Sequence, residues 1–526
     1  MSGLHGSVAL IRASLRRDRV RITVWVLSIT VMVWASASSV KGLFPTQADL
    51  DTAAAASKNP AVLAFNGPAQ ALDTLGGQVA FQIGSPGLVV TALMSIFMIG
   101  HLTRGEEEPG RLELVRSLPV GRQAPMVAAV VVVTAMSIAV GALVAGALII
   151  ESLDMAGSVS FGLGYTLIAL VFMGVALVAG QISENTRLVY GLAGIVLGAA
   201  FIVRAVGDVG NSAVSWFSPI GWMQKARPFA GERWWPFLPA LAAVAALVGA
   251  ATAMLDHRDL GAGLVAPRRG RPTASRFLTG PVALNARLQR GSLLGWTFGV
   301  SITGVAYGSI ANSIETFVQD NKAMSDLLVG SSGASLVDAY LATSTRVAAL
   351  IGAGFAVQSM LRLRSEETAL RAEPVLATAV SRVRWATGHL GFATAGSVIV
   401  LLATGLSTGI SAALVTHDIG LVPRVAVASL AYSPAVWLLA GVALATIGLV
   451  PRAAPIVWAL LVASFVVTFL GPLLSLPGWA TNVSPFEHLP LLPGAPANTV
   501  PYLALIALAG GLALAGIHGL ARRDIG

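Results

Sequence analysis

A cluster of ionisable residues at Arg104, Glu106, Glu107, Arg111, Glu113 and Arg122 recurs in the same order at Arg364, Glu366, Glu367, Arg371, Glu373 and Arg382. Residues 104–122, RGEEEPGRLELVRSLPVGR, and 364–382, RSEETALRAEPVLATAVSR, align without a gap and agree at eight of nineteen positions, the two non-polar identities being Val115/Val375 and Val120/Val380. Alternating carboxylates and guanidiniums with no histidine or cysteine among them suit charge-assisted hydrogen bonding, not nucleophilic or metal chemistry. For one copy, a solvated turn with local ion pairs of little energy accounts for the pattern. Retention of one charge order in two copies argues instead for a shared external contact. After Pro109-Gly110, Leu112, Val115 and Leu118 share one stripe, so the spacing predicts a short helix along the membrane surface, with the glutamates at its favourable N-terminal end.

Other chemistries find little support. Cysteine is absent, which removes disulfides, thiolate metal sites and cysteine nucleophiles together. His101 and His389 have no metal-ligating neighbour at suitable spacing, so no metal is expected. A phosphate loop ends in Gly-Lys-Ser/Thr, yet no lysine here follows a glycine, so the chain binds no ATP of its own. Leu75-Gly76-Gly77-Gln78 matches part of an ABC ATPase signature but adjoins a span, and reads as a coincidental turn. Glu151, Asp154, Arg204, Asp208, His417 and Asp418 fall at outer span ends, where snorkelling or loop placement accounts for them. Trp216, Trp222, Trp234 and Trp235 suit an interfacial aromatic belt, with a substrate gate as the secondary reading.

The elements that must hold the repeated segments are membrane spans. With 55% hydrophobic and 11% charged residues in a chain of 526, most of the molecule requires lipid as solvent. Apolar runs without strand alternation predict spanning helices near 22–40, 79–102, 125–150, 160–182, 188–206 and 236–254, and again near 293–311, 338–361, 388–414, 425–448, 453–474 and 500–520. The expected fold is all-α: about twelve spans as two tandem six-helix repeats, 1–261 and 281–526, joined by a cytoplasmic linker at 262–280 within the basic stretch 257–290. Ser218-Pro219 and Ser484-Pro485 precede each last span, and Arg258-Asp259-Leu260-Gly261 and Arg523-Asp524-Ile525-Gly526 follow it. Residues 4–21, with Leu4, Val8, Ile11 and Leu15 at helical spacing, read as an interfacial elbow helix. The net charge of +9 comes from arginines at membrane edges, which excludes a nucleic-acid partner and sets both termini in the cytoplasm by the positive-inside rule. All four lysines, Lys41, Lys58, Lys225 and Lys322, fall on the other side.

On Arg104, Glu106, Glu107, Arg111, Glu113, Arg122, their second-half counterparts and the Arg-Asp-Leu/Ile-Gly endings, the chain resembles permeases of the type-two ABC exporter superfamily, in particular the actinobacterial tetronasin-transport and polyketide-antibiotic exporter group. The resemblance covers nearly the whole chain in layout, though only these short motifs are specific. It implies that the twelve repeated-segment residues belong to coupling helices seated on a separate ATPase. It further implies two ATPase copies per chain carrying ATP and magnesium, no enzymatic activity or cofactor here, and efflux of small hydrophobic or amphipathic compounds, drugs and antibiotics among them, across the bacterial plasma membrane. The alternative is a self-contained proton-coupled transporter, whose Asp-Arg and Gly-Arg-Arg loop patterns and mid-membrane carboxylates are not found. An intramembrane enzyme would need converging His, Asp or Glu, which the sequence does not offer. The topology is testable because native cysteines are lacking. Ser57→Cys should react with an impermeant maleimide in intact cells and Ser117→Cys only after permeabilisation; the opposite pattern would invert the orientation.

Overall fold

Hydrocarbon supplies no hydrogen-bond partners, so a chain of long apolar runs satisfies its backbone within each run by forming helices. The computed structural model describes residues 4–56, 60–108, 110, 117, 119–258, 262–265, 272–276, 278, 280–312, 336–474, 478–493 and 498–524, and no strand occurs among them. The fold is all-α, and ten helices among the described residues are long and apolar enough to cross a membrane. It is a multi-pass membrane protein. The chain divides into two compact units, Met1–Gly270 and Arg271–Gly526.

The first unit runs α1 (Ser7–Arg17), α2 (Arg19–Leu43), α3 (Gln47–Ala56), α4 (Pro60–Asn66), α5 (Leu75–Leu102), α6 (Ala124–Ile150), α7 (Met155–Ile182), α8 (Thr186–Val209), α9 (Pro219–Lys225) and α10 (Phe237–Asp256). The second runs α11 (Pro281–Ser309), α12 (Leu336–Thr368), α13 (Arg382–Thr416), α14 (Leu421–Leu430), α15 (Ser433–Leu449), α16 (Ile456–Leu474) and α17 (Thr499–Arg522). A helix lies over every predicted span, with two differences of detail. The elbow is interrupted at Asp18, which separates α1 from α2, and the predicted 425–448 span is split at Ala431 and Tyr432 into α14 and α15. Short polar side chains start several helices: Thr74, Asp154 and Asn185 accept from backbone N–H groups in the first unit, as do Ser381 and Asn498 in the second. The Gly76-Gly77 pair lies in the first turn of α5 behind the Thr74 cap, where a Cβ on Gly77 would run into the Ala71 carbonyl oxygen and one on Gly76 into the Phe229 ring.

In the first unit α7 is central, packed by α5, α6, α8 and α10; in the second, α13 packs against α11, α12, α14 and α15. Lipid is as apolar as a leucine side chain, so close packing and not water exclusion decides which faces meet. Glycines make that closeness available. At the α6–α7 crossing a Cβ on Gly141 would lie 2.5 Å from the Gly162 carbonyl oxygen, and one on Gly162 would lie 2.3 Å from that of Gly141. The α15–α17 crossing of the second unit repeats the device, with Gly448 against the Gly516 carbonyl oxygen at 2.0 Å and Gly516 against that of Leu444 at 2.4 Å. Replacing Gly162 or Gly516 with Val should therefore force the helices apart. A loss of about 1–3 kcal/mol is expected, read as a lowered melting temperature of the purified protein. Gly146→Val, where a Cβ meets nothing within 4 Å, should leave it unchanged.

Candidate functional site

Arg104 follows the last turn of α5 and is 1% exposed, a burial that a guanidinium tolerates only when its donors are used. Its Nε donates to the Gly180 carbonyl at 2.6 Å, one terminal nitrogen to Glu107 Oε2 at 2.7 Å and the other to the Ala262 carbonyl at 3.0 Å. Glu107 accepts on its other oxygen from Arg258, just beyond α10, at 2.8 Å. Arg122, ahead of α6, donates to the carbonyls of Leu255 and Arg258 at 2.9 and 2.6 Å. One largely buried carboxylate between two arginines, with the backbone carbonyls that Arg104 and Arg122 reach, thus joins the end of α5, the approach to α6, the end of α7 and the end of α10.

The second unit builds the same clamp from the repeated residues. Glu367 Oε2 accepts from Arg523 at 2.6 Å and lies 3.0 Å from Arg364. Arg382 donates to the Arg523 carbonyl at 2.6 Å, as Arg122 does to that of Arg258. The Arg-Asp-Leu/Ile-Gly echo therefore has a physical role, since its arginine closes the clamp in each unit.

A second layer fixes the neighbouring glutamates. In the first unit Arg17 pairs with Glu106 at 2.9 Å and with Asp18 at 3.1 Å, and His101 Nε2 lies 3.0 Å from Asp18 Oδ1. Burial works against the Arg17 charge, but hydrogen bonds and charges from Asp18 and Glu106 outweigh it and hold its pKa above the ordinary value. The break between α1 and α2 places Asp18 where it reaches both Arg17 and His101. Glu108 accepts from the Thr186 hydroxyl at 2.8 Å. In the second unit Glu366 lies 2.8 Å from Arg362 and 3.5 Å from His389.

Of the predicted residues, Arg104, Glu107 and Arg122, and Arg364, Glu367 and Arg382, are thus brought together within their own units. Glu107 and Glu367, expected to meet an outside partner, have their charge compensated internally. Arg371 and Glu373 stand exposed at the tip of the second segment, beside Leu370, which is 59% exposed at a positive φ of 55°. A short helix, Glu373–Leu376, follows. Arg111 and Glu113, with the Leu112, Val115 and Leu118 stripe, lie outside the described residues. The two histidines bind carboxylates, and no group of three potential metal ligands occurs among the described residues.

Sequence reasoning missed a charge inside a span. Arg346, in α12, pairs with Glu487 at 2.8 Å, and Glu487 also accepts from Thr468 of α16 at 2.7 Å. Tyr432, in the break between α14 and α15, is buried beside them and stacks on Phe486 at 6.2 Å. The signal was a lone arginine within an apolar run, with its partner in the segment before the last span.

The family model described as the C-terminal domain of the multidrug efflux system permease Rv1217c matches residues 278–520. The chain is also 39% identical over 529 residues to the multidrug efflux system permease protein Rv1217c of Mycobacterium tuberculosis, covering 100% of this chain and 96% of that protein.

Because Glu107 is largely buried between two guanidiniums, Glu107→Gln should cost on the order of 3 kcal/mol, seen as a fall in melting temperature, whereas the exposed Arg12 should be replaceable by Gln without effect. Combining Glu107→Gln with Arg258→Gln should cost less than the sum of the two. Additive losses would show that the pair is not energetically coupled.

Proposed function

The chain belongs to the family of multidrug efflux system permeases represented by Rv1217c, and from that premise we propose that it is the membrane subunit of a drug exporter driven by a separate ATPase. Carrying this reading is the duplicated clamp, which ties two similar charged segments to span ends at the arginine-rich end of each unit. By the positive-inside rule that end and both termini face the cytoplasm. Six-helix halves at 1–261 and 281–526 would each seat on one ATPase copy, which supplies ATP and magnesium. Likeness to the tetronasin-transport group belongs to the same reading.

Within each segment the residues divide the work. Arg104, Glu107, Arg122, Arg364, Glu367 and Arg382 position the segment and transmit its displacement to the last span. Leu370, Arg371 and Glu373 present an apolar tip flanked by opposite charges, a surface suited to a groove on a partner; Arg111 and Glu113 take the corresponding part in the first half. Glu106 and Glu366, braced by Arg17 and by Arg362 with His389, fix the approach to the tip.

The division can be tested with the permease co-purified with its ATPase in lipid vesicles. Arg371→Glu with Glu373→Arg should lower drug-stimulated ATP hydrolysis about tenfold, as loss of roughly 1.4 kcal/mol of contact would, with an unchanged melting temperature. The permease alone should hydrolyse no ATP. Export that continues without the ATPase and stops when a proton gradient is collapsed would replace this reading with that of a proton-coupled transporter.

A further inference from the structure

At the end of the first unit away from the clamp, α5, α7 and α9, with Asn66, Pro68, Gln70 and Pro228, line a partly open cavity of about 50 Å³. Phe81, Phe161, Tyr165 and Met223 wall it, and Ser160 and Gln224 supply polar atoms. Apart from the Tyr165 phenol, none of its lining residues is ionisable. That phenol is occupied, donating to the Ile83 carbonyl at 3.0 Å in the turn that Pro86 interrupts.

Two polar atoms there lack partners among the described residues. Ser160 is 1% exposed, and its hydroxyl does not bond back to the helix as that of Ser158 does to the Asp154 carbonyl. Gln224 donates through Nε2 to Ser85 Oγ at 2.7 Å, which fixes the amide and leaves Oε1 buried without a donor. A buried polar atom without a partner costs about 1–3 kcal/mol, so an occupant that satisfies both is favoured. The occupant must offer an N–H or O–H to Gln224 and either an acceptor or a donor to Ser160, whose hydroxyl serves in both senses, a pair of demands that one primary amide meets. A volume of this size holds roughly three or four waters, on the order of 100 Å³ of liquid, which matches one aromatic ring with a small polar group. With no carboxylate in the lining, a cation would enter uncompensated.

We propose that this cavity is a binding subsite for an uncharged aromatic ring carrying an amide, as the end group of an exported molecule. Only the phrase "exported molecule" rests on the efflux reading; the subsite itself is a matter of binding. Added methyls can fill the space with little disturbance, because a Cβ on Gly84 would lie 3.7 Å from Phe161 and one on Gly164 would lie 3.6 Å from Met223, ordinary contacts.

The test uses the purified full-length chain in lipid nanodiscs and fluorine NMR of 4-fluorobenzamide, with 4-fluorotoluene and protonated 4-fluorobenzylamine as comparison probes. Wild type should bind the benzamide at least fivefold more tightly than either comparison probe. Ser160→Ala should remove most of that preference over fluorotoluene, and Gly84→Ala with Gly164→Ala should weaken all binding at least fivefold at an unchanged melting temperature. Should the filled variant lose stability, Ser160→Ala alone decides. Equal benzamide affinity in wild type and Ser160→Ala, preference for the cation, or binding that the filled variant does not reduce would each overturn the subsite. Specific binding without ATP-dependent export of a benzamide-bearing drug would uphold the subsite and count against the efflux reading.

Discussion

A carboxylate held between two guanidiniums at the arginine-rich end is what the rest of each unit hangs on. Glu107 lies between Arg104 and Arg258, and Glu367 between Arg364 and Arg523. Taking such charges out of water is expensive; in the first unit backbone carbonyls of Gly180 and Ala262 also take up the Arg104 and Arg258 donors, while in the second Arg364 and Arg523 keep part of their surface in solvent. The geometry has a mechanical meaning. The second span, the approach to the third and the end of the last span share one set of hydrogen bonds, so a push on the intervening segment cannot move one of them alone. Small-residue crossings at α6–α7 and α15–α17 bring backbones into contact, so the helices that meet there are packed to shift together.

At the opposite end the two units diverge. In both, the segment beginning at Ser-Pro before the last span folds back onto the spans and buries apolar side chains, Ile220 and Met223 in one and Phe486 and Leu489 in the other. In the first unit a neutral hydrogen bond from Gln224 to Ser85 holds it, beside the aromatic cavity; in the second, the ion pair of Arg346 and Glu487 does so. Both units pair a buried arginine with a carboxylate at this end, Arg204 with Asp208 and Arg346 with Glu487, but in the first the pair lies apart from the cavity, whose own lining is neutral.

How much of this could be read from the chain follows from the range of each interaction. Spans were legible because hydrocarbon imposes length and apolarity locally, and every predicted span carries a helix. The break between elbow and first span was legible but set at residue 21, because only the pairs of Asp18 with His101 and Arg17 place it at Asp18. The repeated charges were visible as a set, but not their direction: Glu107 meets Arg258 across 151 residues, and no local spacing encodes such a contact. Arg258 and Arg523 were noticed as an echo while their role stayed hidden for that reason. Arg346 was lost in an apolar run, and the cavity, made by three elements and two unpaired atoms, has no linear signature at all.

The divergence of the two mouths bears on why the halves share one polypeptide. Two identical subunits related by a two-fold axis must present the same residues twice, so a mutation that opens one mouth to a guest opens the other equally. Once duplicated and fused, each copy answers to selection separately. The charged end holds the same arginines and glutamates in both copies, while the far end holds an ion-pair latch in one copy and an uncharged hollow in the other.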